Sequence, residues 1–482
     1  MKLFLYNKPP QTCIERMARL KAVSLFSGAG GLDWGLMQSG LFEIIFANDI
    51  MESAAETYSA NFRLKLERCS GKARARYGAV LACNVEEVDF SPLADASPDV
   101  VVGGPPCQDF SIVRGPDWDR KGIKVRRGKL YSHFVRALAV LQPKAFLFEN
   151  VPGLRSANKG FAYEIIRKDF EELNVRWDQI REAIECDGTR PSEGYVILFD
   201  KIIDFSRFGV PQKRERLIIV GIRKDLVRSP DRLREARSAF EEVLKRSEGL
   251  LGRYPLTPLE VFEGRRLDEL DDKYREVVLK WEGVWDCVGT ARARRWKAEV
   301  WDRLELDPVK DYLRAIGVRP SGDEEVRKAL EEHERVLREL EYWEKPVSAF
   351  ASSDGTNEVP KEDPEVLERL RHIPFGENHE FVRGTRWEVE GKGISLVYRR
   401  LHPLKPSYTI VAYGGGGTHG YHYDRDRGQL TLKEKARLQT FPDSFSFMGS
   451  RTEVRAQIGE AVPPLAGKKL AEALSAALAV LE

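Results

Sequence analysis

The chain has 482 residues, 42% of them hydrophobic and 32% charged, with a formal net charge of +2. At about 150 residues per domain, two or three units with a sizeable core are expected, and the near-balanced charge neither requires nor excludes a nucleic-acid partner. No signal-type N-terminus or membrane-length apolar run is present. The six cysteines, at 13, 69, 83, 107, 186 and 287, form no Cys-x-x-Cys pair and no metal-type His/Cys spacing. The expectation is an intracellular soluble protein with reduced thiols and no metal site.

Residues 21–26 form a short apolar run that predicts a strand. Ser27-Gly28-Ala29-Gly30-Gly31-Leu32 follows as a glycine turn, and Leu32, Leu36 and Met37 carry helical spacing. A second strand, 42–47, ends at Asn48-Asp49, which puts an acidic side chain about twenty residues beyond the glycines. The third fingerprint glycine is missing, which favours another adenosine-bearing ligand over a nicotinamide dinucleotide; a merely structural turn is the alternative. Further strands are predicted at 80–85, 99–102 and 145–148, with a helix at 131–141. This alternation implies a doubly wound α/β sheet.

Gly103-Gly104-Pro105-Pro106-Cys107-Gln108 is a stiff exit from strand 99–102, and it presents Cys107 where ligands bind in such sheets. By itself the segment is equally compatible with a buried structural thiol. Residues 196–203 and 216–222 read as a strand pair bracketing 208–216. From about 224 to 344 the sequence becomes charged and helix-forming, so a second domain is expected to begin there. Residues 414–417 form a glycine turn, and 465–481 an amphipathic helix returning to the first domain.

Six motifs in order carry a resemblance. They are Phe26-Ser27-Gly28-Ala29-Gly30-Gly31; Pro105-Pro106-Cys107-Gln108 with Phe110-Ser111; Phe148-Glu149-Asn150-Val151; Gln212-x-Arg214-x-Arg216; Arg399-Arg400-Leu401 with Pro406 and Thr409; and Gln457-Ile458-Gly459. In these the chain resembles the DNA (cytosine-5)-methyltransferase family. The resemblance implies an S-adenosylmethionine-dependent methyltransferase with a Rossmann-like doubly wound sheet, built from residues 1–223 plus 428–482. The smaller domain, 224–427, would be the target-recognition region, because its unmatched stretch falls where the family varies.

The chemistry fits these residue types. Cytosine C5 is a poor nucleophile until a thiolate adds at C6, and a free cysteine, with a pKa of about 8.5, needs nearby positive charge to ionise. Arg214 and Arg216 are the candidates, and Glu149, at the end of strand 145–148, can hydrogen-bond or protonate N3 of the base. By resemblance Arg216 would hold the cytosine O2, Arg214 would fix the base and the catalytic loop, and Asn150 would brace the loop bearing Cys107.

For the methyl donor, the resemblance implies contacts from Phe26, Ser27, Gly28, Ala29, Gly30, Gly31 and Leu32. Asp49 would accept from the ribose, Ile50 would pack on adenine, and Asn84 with Val85 would meet the adenine edge. Pro106, Glu460 and Val462 complete the set. Two positions depart from the family pattern: Asn84 stands where an acid is usual, and Glu460 where an asparagine is usual.

The polar, Gly- and Arg-rich stretch 109–129 reads as a loop that closes on duplex DNA, with Gln108, Ser111, Arg114, Arg126, Arg127 and Gln212 as expected contacts. Arg292, Arg294 and Arg386 are candidates for reading the target sequence. A monomer is expected, acting in the cytoplasm of a prokaryotic cell, with a cognate restriction endonuclease as a possible partner. An RNA cytosine-C5 methyltransferase and a catalytically silent DNA-binding relative are the alternatives.

Overall fold

The computed structural model describes residues 19–106, 130–184, 186, 190–350, 355–389, 397–413, 417, 418 and 420–482. The described strands are β1 (Leu20–Leu25), β2 (Phe42–Asp49), β3 (Lys65–Arg68), β4 (Ala73–Arg74), β5 (Ala79–Ala82), β6 (Val88–Asp89), β7 (Val100–Gly103), β8 (Ala145–Asn150), β9 (Tyr195–Asp204) and β10 (Glu215–Arg223). Eight of them form one sheet in the order β3-β5-β2-β1-β7-β8-β10-β9, while β4 and β6 pair separately. The ladders are parallel except at β10, which runs antiparallel to both neighbours. Strands covered on both faces read as unbroken apolar runs, as Val100 to Val102 and Ala145 to Phe148 do. Strand order reverses between β1 and β7, so a crevice opens beyond their carboxyl ends.

One face of the sheet is covered by the helices Leu130–Leu141, Phe161–Glu171 and Leu173–Ala183, around Phe134, Phe146, Phe170 and Trp177. On the other face, helix Gly31–Gln38 packs against the C-terminal helix Pro464–Leu481. Gly35 permits the approach, since a Cβ there would lie 2.3 Å from the Pro464 carbonyl oxygen and 2.4 Å from the Lys468 nitrogen. Helix Pro230–Glu248 packs on both the C-terminal helix and β9. The covering layer thus continues past residue 224, where the sequence suggested a boundary.

Beyond it, the described residues up to about 350 are mainly helical, around Trp281, Tyr312, Leu337 and Tyr342, and those from 371 to 427 are mostly irregular. Arg400 ties this region together. Its buried guanidinium lies 4.9 Å from the Trp281 ring and donates to the carbonyls of Leu370 and Asp424, both at 2.8 Å.

The expectation of reduced thiols is corrected at one pair: Cys69 and Cys83 form a disulfide with Cα atoms 5.5 Å apart. The cause is strand register. Arg68 pairs with Ala82 across β3 and β5, so the next residue of each strand is a cysteine facing its neighbour. Among the described residues, no helix is long and apolar enough to cross a membrane.

Candidate active site

A cleft of about 580 Å³ opens at the strand-order reversal, within the ~300–1,000 Å³ typical of small-molecule sites. Phe26, Ser27, Gly28, Gly31 and Leu32 line it from the glycine turn, and Asp49, Ile50, Asn84 and Val85 from the ends of β2 and β5. Pro106, Glu460 and Val462 also line it. The turn is held in a left-handed course by Phe26 (φ 54°), Gly28 (φ 53°) and Gly30 (φ 88°).

The Gly28 N–H donates to Asp49 Oδ2 at 2.8 Å, and the Met51 N–H to Oδ1 at 2.9 Å. Each carboxylate oxygen keeps a second lone pair for a hydroxyl. Burial pushes the Asp49 carboxyl up in pKa, against these backbone donors. Strand β5 stops earlier than its apolar run suggested, because the Asn84 side chain caps the turn at Val85–Glu87 by accepting from the Glu86 N–H at 3.2 Å. The Asn84 amide N–H₂ remains available.

Two of the expected contacts, Ala29 and Gly30, are not among the residues that line the cleft: Ala29 is buried, and a Cβ on Gly30 would meet the Phe62 ring at 2.6 Å. Gly31 has a different neighbour: its Cβ would be 2.3 Å from the Val462 carbonyl oxygen, so the 459–462 segment closes over the turn.

At the other end of the cleft, β8 and β10 pair Glu149 with Ile218 and Asn150 with Leu217. Arg216, one residue before Leu217, places its Nε 2.8 Å from Glu149 Oε1, with both side chains little exposed. Gly104 lies under this pair, since a Cβ there would be 2.6 Å from Glu149 Oε2. Asn150 Nδ2 donates to the Pro105 carbonyl at 2.9 Å, and Asn150 Oδ1 accepts from the Val151 N–H at 3.0 Å. The chain leading to Cys107 is therefore braced at Pro105. Cys107, Gln108, Ser111, Arg114, Arg126 and Arg127 lie outside the described residues.

Arg214 is fully buried and donates to the carbonyls of Gly459 (2.9 Å), Ile410 (3.3 Å) and Glu460 (3.4 Å). Burial pulls its guanidinium well below the usual value, and Arg216 adds to the effect. Arg214 thereby fixes two segments that wall the cleft, and it lines the cleft itself.

Gln212 is corrected outright as a DNA contact. It is fully buried, donates to Gln439 Oε1 at 2.9 Å and accepts from the Ile410 N–H at 2.8 Å. Arg292 is paired with Glu377 at 2.8 Å and with Glu380, so its charge is already matched. Arg294 and Arg386 are exposed; Arg294 donates to the Gly289 carbonyl at 2.7 Å, and Arg386 lies 4.6 Å from the Trp387 ring centroid. Trp296, in the basic stretch around Arg292, is buried against Phe375 and Phe381.

Sequence reasoning missed Ser24 and Asp33 at the inner wall of the cleft, and Val411, Ala412 and Tyr413 on its far wall. Asp33 is fully buried and accepts from Ser24 Oγ at 2.8 Å. Burial raises its pKa to about 7, against the Ser24 hydrogen bond and the nearby Tyr58 hydroxyl. An acid inside the apolar spacing of Leu32 and Leu36 was the available signal.

The comparisons with known proteins agree with this geometry. Residues 20–476 match the family model of C-5 cytosine-specific DNA methylases. M.ApeKI, a DNA (cytosine-5-)-methyltransferase of Aeropyrum pernix, is 60% identical over 466 residues, covering 96% of this chain and 99% of its own. The type II methyltransferase M.NgoFVII of Neisseria gonorrhoeae is 30% identical over 458 residues, covering 94% and 86%. A solved E. coli prophage protein, described as a DNA modification methyltransferase, shares the fold with a TM-score of 0.53 and 21% identity over 95% of this chain and 99% of its own. The chain belongs to the C-5 cytosine-specific DNA methylase family and is a DNA (cytosine-5)-methyltransferase.

Proposed function

We propose that the cleft holds S-adenosylmethionine beside a cytosine flipped out of duplex DNA, and that Cys107 attacks the base. Asp49, Ile50 and Asn84 would hold the adenosine, and Ser27, Gly28 and Gly31 the methionine part. When bound, the donor supplies an electrophilic methyl group on a sulfonium. The Cys107 thiolate adds to C6 while the Glu149 carboxyl hydrogen-bonds or protonates N3, and the electron pair is driven toward C5. C5 takes the methyl group, its proton then leaves to a base such as water, and the thiolate is expelled. Arg216, held on Glu149, meets the base at O2. Glu149 and Arg216 opening into the same cleft as the glycine turn and Asp49 is the observation that carries this reading.

Recognition of the target sequence would fall to the region between about 250 and 427, with Arg294 and Arg386 as its exposed candidates. The enzyme would act as a monomer in the cytoplasm of a prokaryotic cell, with a cognate restriction endonuclease acting on the same site; the type II names of two relatives support the restriction–modification setting.

Duplex DNA carrying 5-fluorocytosine tests the covalent step, since fluorine cannot leave C5 as a proton does. A donor-dependent protein–DNA adduct mapping to Cys107, and absent in Cys107→Ser, is expected. Formation of 5-methylcytosine in normal DNA with no trapped adduct would overturn the mechanism.

A further inference from the structure

The cleft is lined by two carboxyl groups that the reaction above does not use, Asp33 and Glu460. Glu460 ends the helix Arg451–Glu460 and lines the cleft together with Asp49 and Tyr413. Its backbone is fixed from both sides. Arg214 holds the Gly459 and Glu460 carbonyls at 2.9 and 3.4 Å, and the Val462 carbonyl rests against Gly31. The segment therefore spans from the Glu149–Arg216 end to the glycine turn. Burial, and then the neighbouring Asp49, push the Glu460 carboxyl up in pKa, while the Tyr413 hydroxyl, which donates to it, and the Arg214 guanidinium favour its ionised form. A methyl group passing from an adenosine-bearing donor to the base must cross between those ends, and there the donor carries its sulfonium charge.

We propose that Glu460 selects the cationic donor S-adenosylmethionine over its neutral product S-adenosylhomocysteine, an inference that rests on reading the cleft as the donor site. The two molecules differ only by the methyl group and the positive charge it leaves on sulfur. A group that tells them apart must therefore sense that charge or the methyl itself. Arg214 is a cation and repels the sulfonium; Glu149 is paired with Arg216, Asp33 takes the Ser24 hydroxyl, and the Asp49 oxygens already receive the Gly28 and Met51 N–H groups. Glu460 supplies the balancing negative charge. Once the methyl group has gone, the attraction between Glu460 and the sulfonium is lost, which favours product departure.

Calorimetric titration of the full chain with the donor, the product and an analogue bearing an amine in place of the sulfonium tests this. Glu460→Gln is expected to weaken the donor and the amine analogue on the order of tenfold, leaving the product within about twofold. Glu460→Asp keeps the charge and should retain the preference. An unchanged donor-to-product ratio in Glu460→Gln, or equal loss of all three ligands, would overturn the proposal while leaving the donor site intact. Failure of the wild type to bind any of the three would overturn the donor-site reading, and the proposal with it.

Discussion

Adding one methyl group at Gly104 tests whether the position of Glu149, and not merely its presence, sets the rate. A Cβ on Gly104 would lie 2.6 Å from Glu149 Oε2 and 3.3 Å from the Glu149 carbonyl oxygen, where ordinary contact begins at 3.4 Å. The backbone therefore has little to concede, while the carboxyl end must retreat by about 0.8 Å. That end belongs to a side chain that can rotate, so Gly104→Ala is expected to cost about 1 kcal/mol of stability. Catalysis is less forgiving, because the retreat pulls Oε1 from the 2.8 Å pair with Arg216. A misplacement of about 1 Å costs on the order of 100-fold in rate, or roughly 2.7 kcal/mol of barrier. Initial rates of methyl transfer at saturating donor and DNA should show kcat reduced by about that factor, with donor affinity within about twofold and the melting temperature within a few degrees. Wild-type kcat would refute the reasoning. An unfolded variant would show that the backbone, rather than the carboxyl, takes the strain.

Gly35→Ala should behave oppositely, because all three clashing atoms, the Pro464 oxygen, the Lys468 nitrogen and the Gly467 carbonyl carbon, are backbone. A loss of roughly 2–3 kcal/mol is expected, and an unshifted urea midpoint would contradict it. Burial raises Asp33 from 3.8 to about 7, so the folded chain keeps a proton that the unfolded chain releases above pH 3.8. Stability should fall as pH rises from about 4 to 7 and then level off. Asp33→Asn should gain roughly 2–4 kcal/mol over the wild type at pH 8 and almost nothing at pH 4; an equal difference at both pH values would refute this. Reduction of Cys69–Cys83, 14 residues apart, should cost about 3 kcal/mol. The Cys69→Ser/Cys83→Ser double variant should melt identically with and without reductant.

The sheet was legible because its central strands are apolar on both faces, and Glu149 was placed by its position at the end of such a run. The polar ties were not. Gln212 and Arg214 resemble solvent-facing side chains in the sequence, yet their partners are Ile410, Gln439, Gly459 and Glu460, about two hundred residues away. Arg292 looked like a free cation because Glu377 and Glu380 lie more than eighty residues on. The Cys69–Cys83 pair depended on the register of β3 against β5, which no spacing rule encodes. Helix Pro230–Glu248 carries the same charged pattern as the helices after it, so its packing on the C-terminal helix could not be read locally.

The most direct test of the central claim is transfer of labelled methyl groups from S-adenosylmethionine to mixed-sequence duplex DNA, followed by nucleoside analysis, with Cys107→Ser alongside. Label in 5-methylcytosine of the DNA, lost in the variant, is the expected result. Label in another base, label confined to RNA, or 5-methylcytosine still formed by Cys107→Ser would contradict the account.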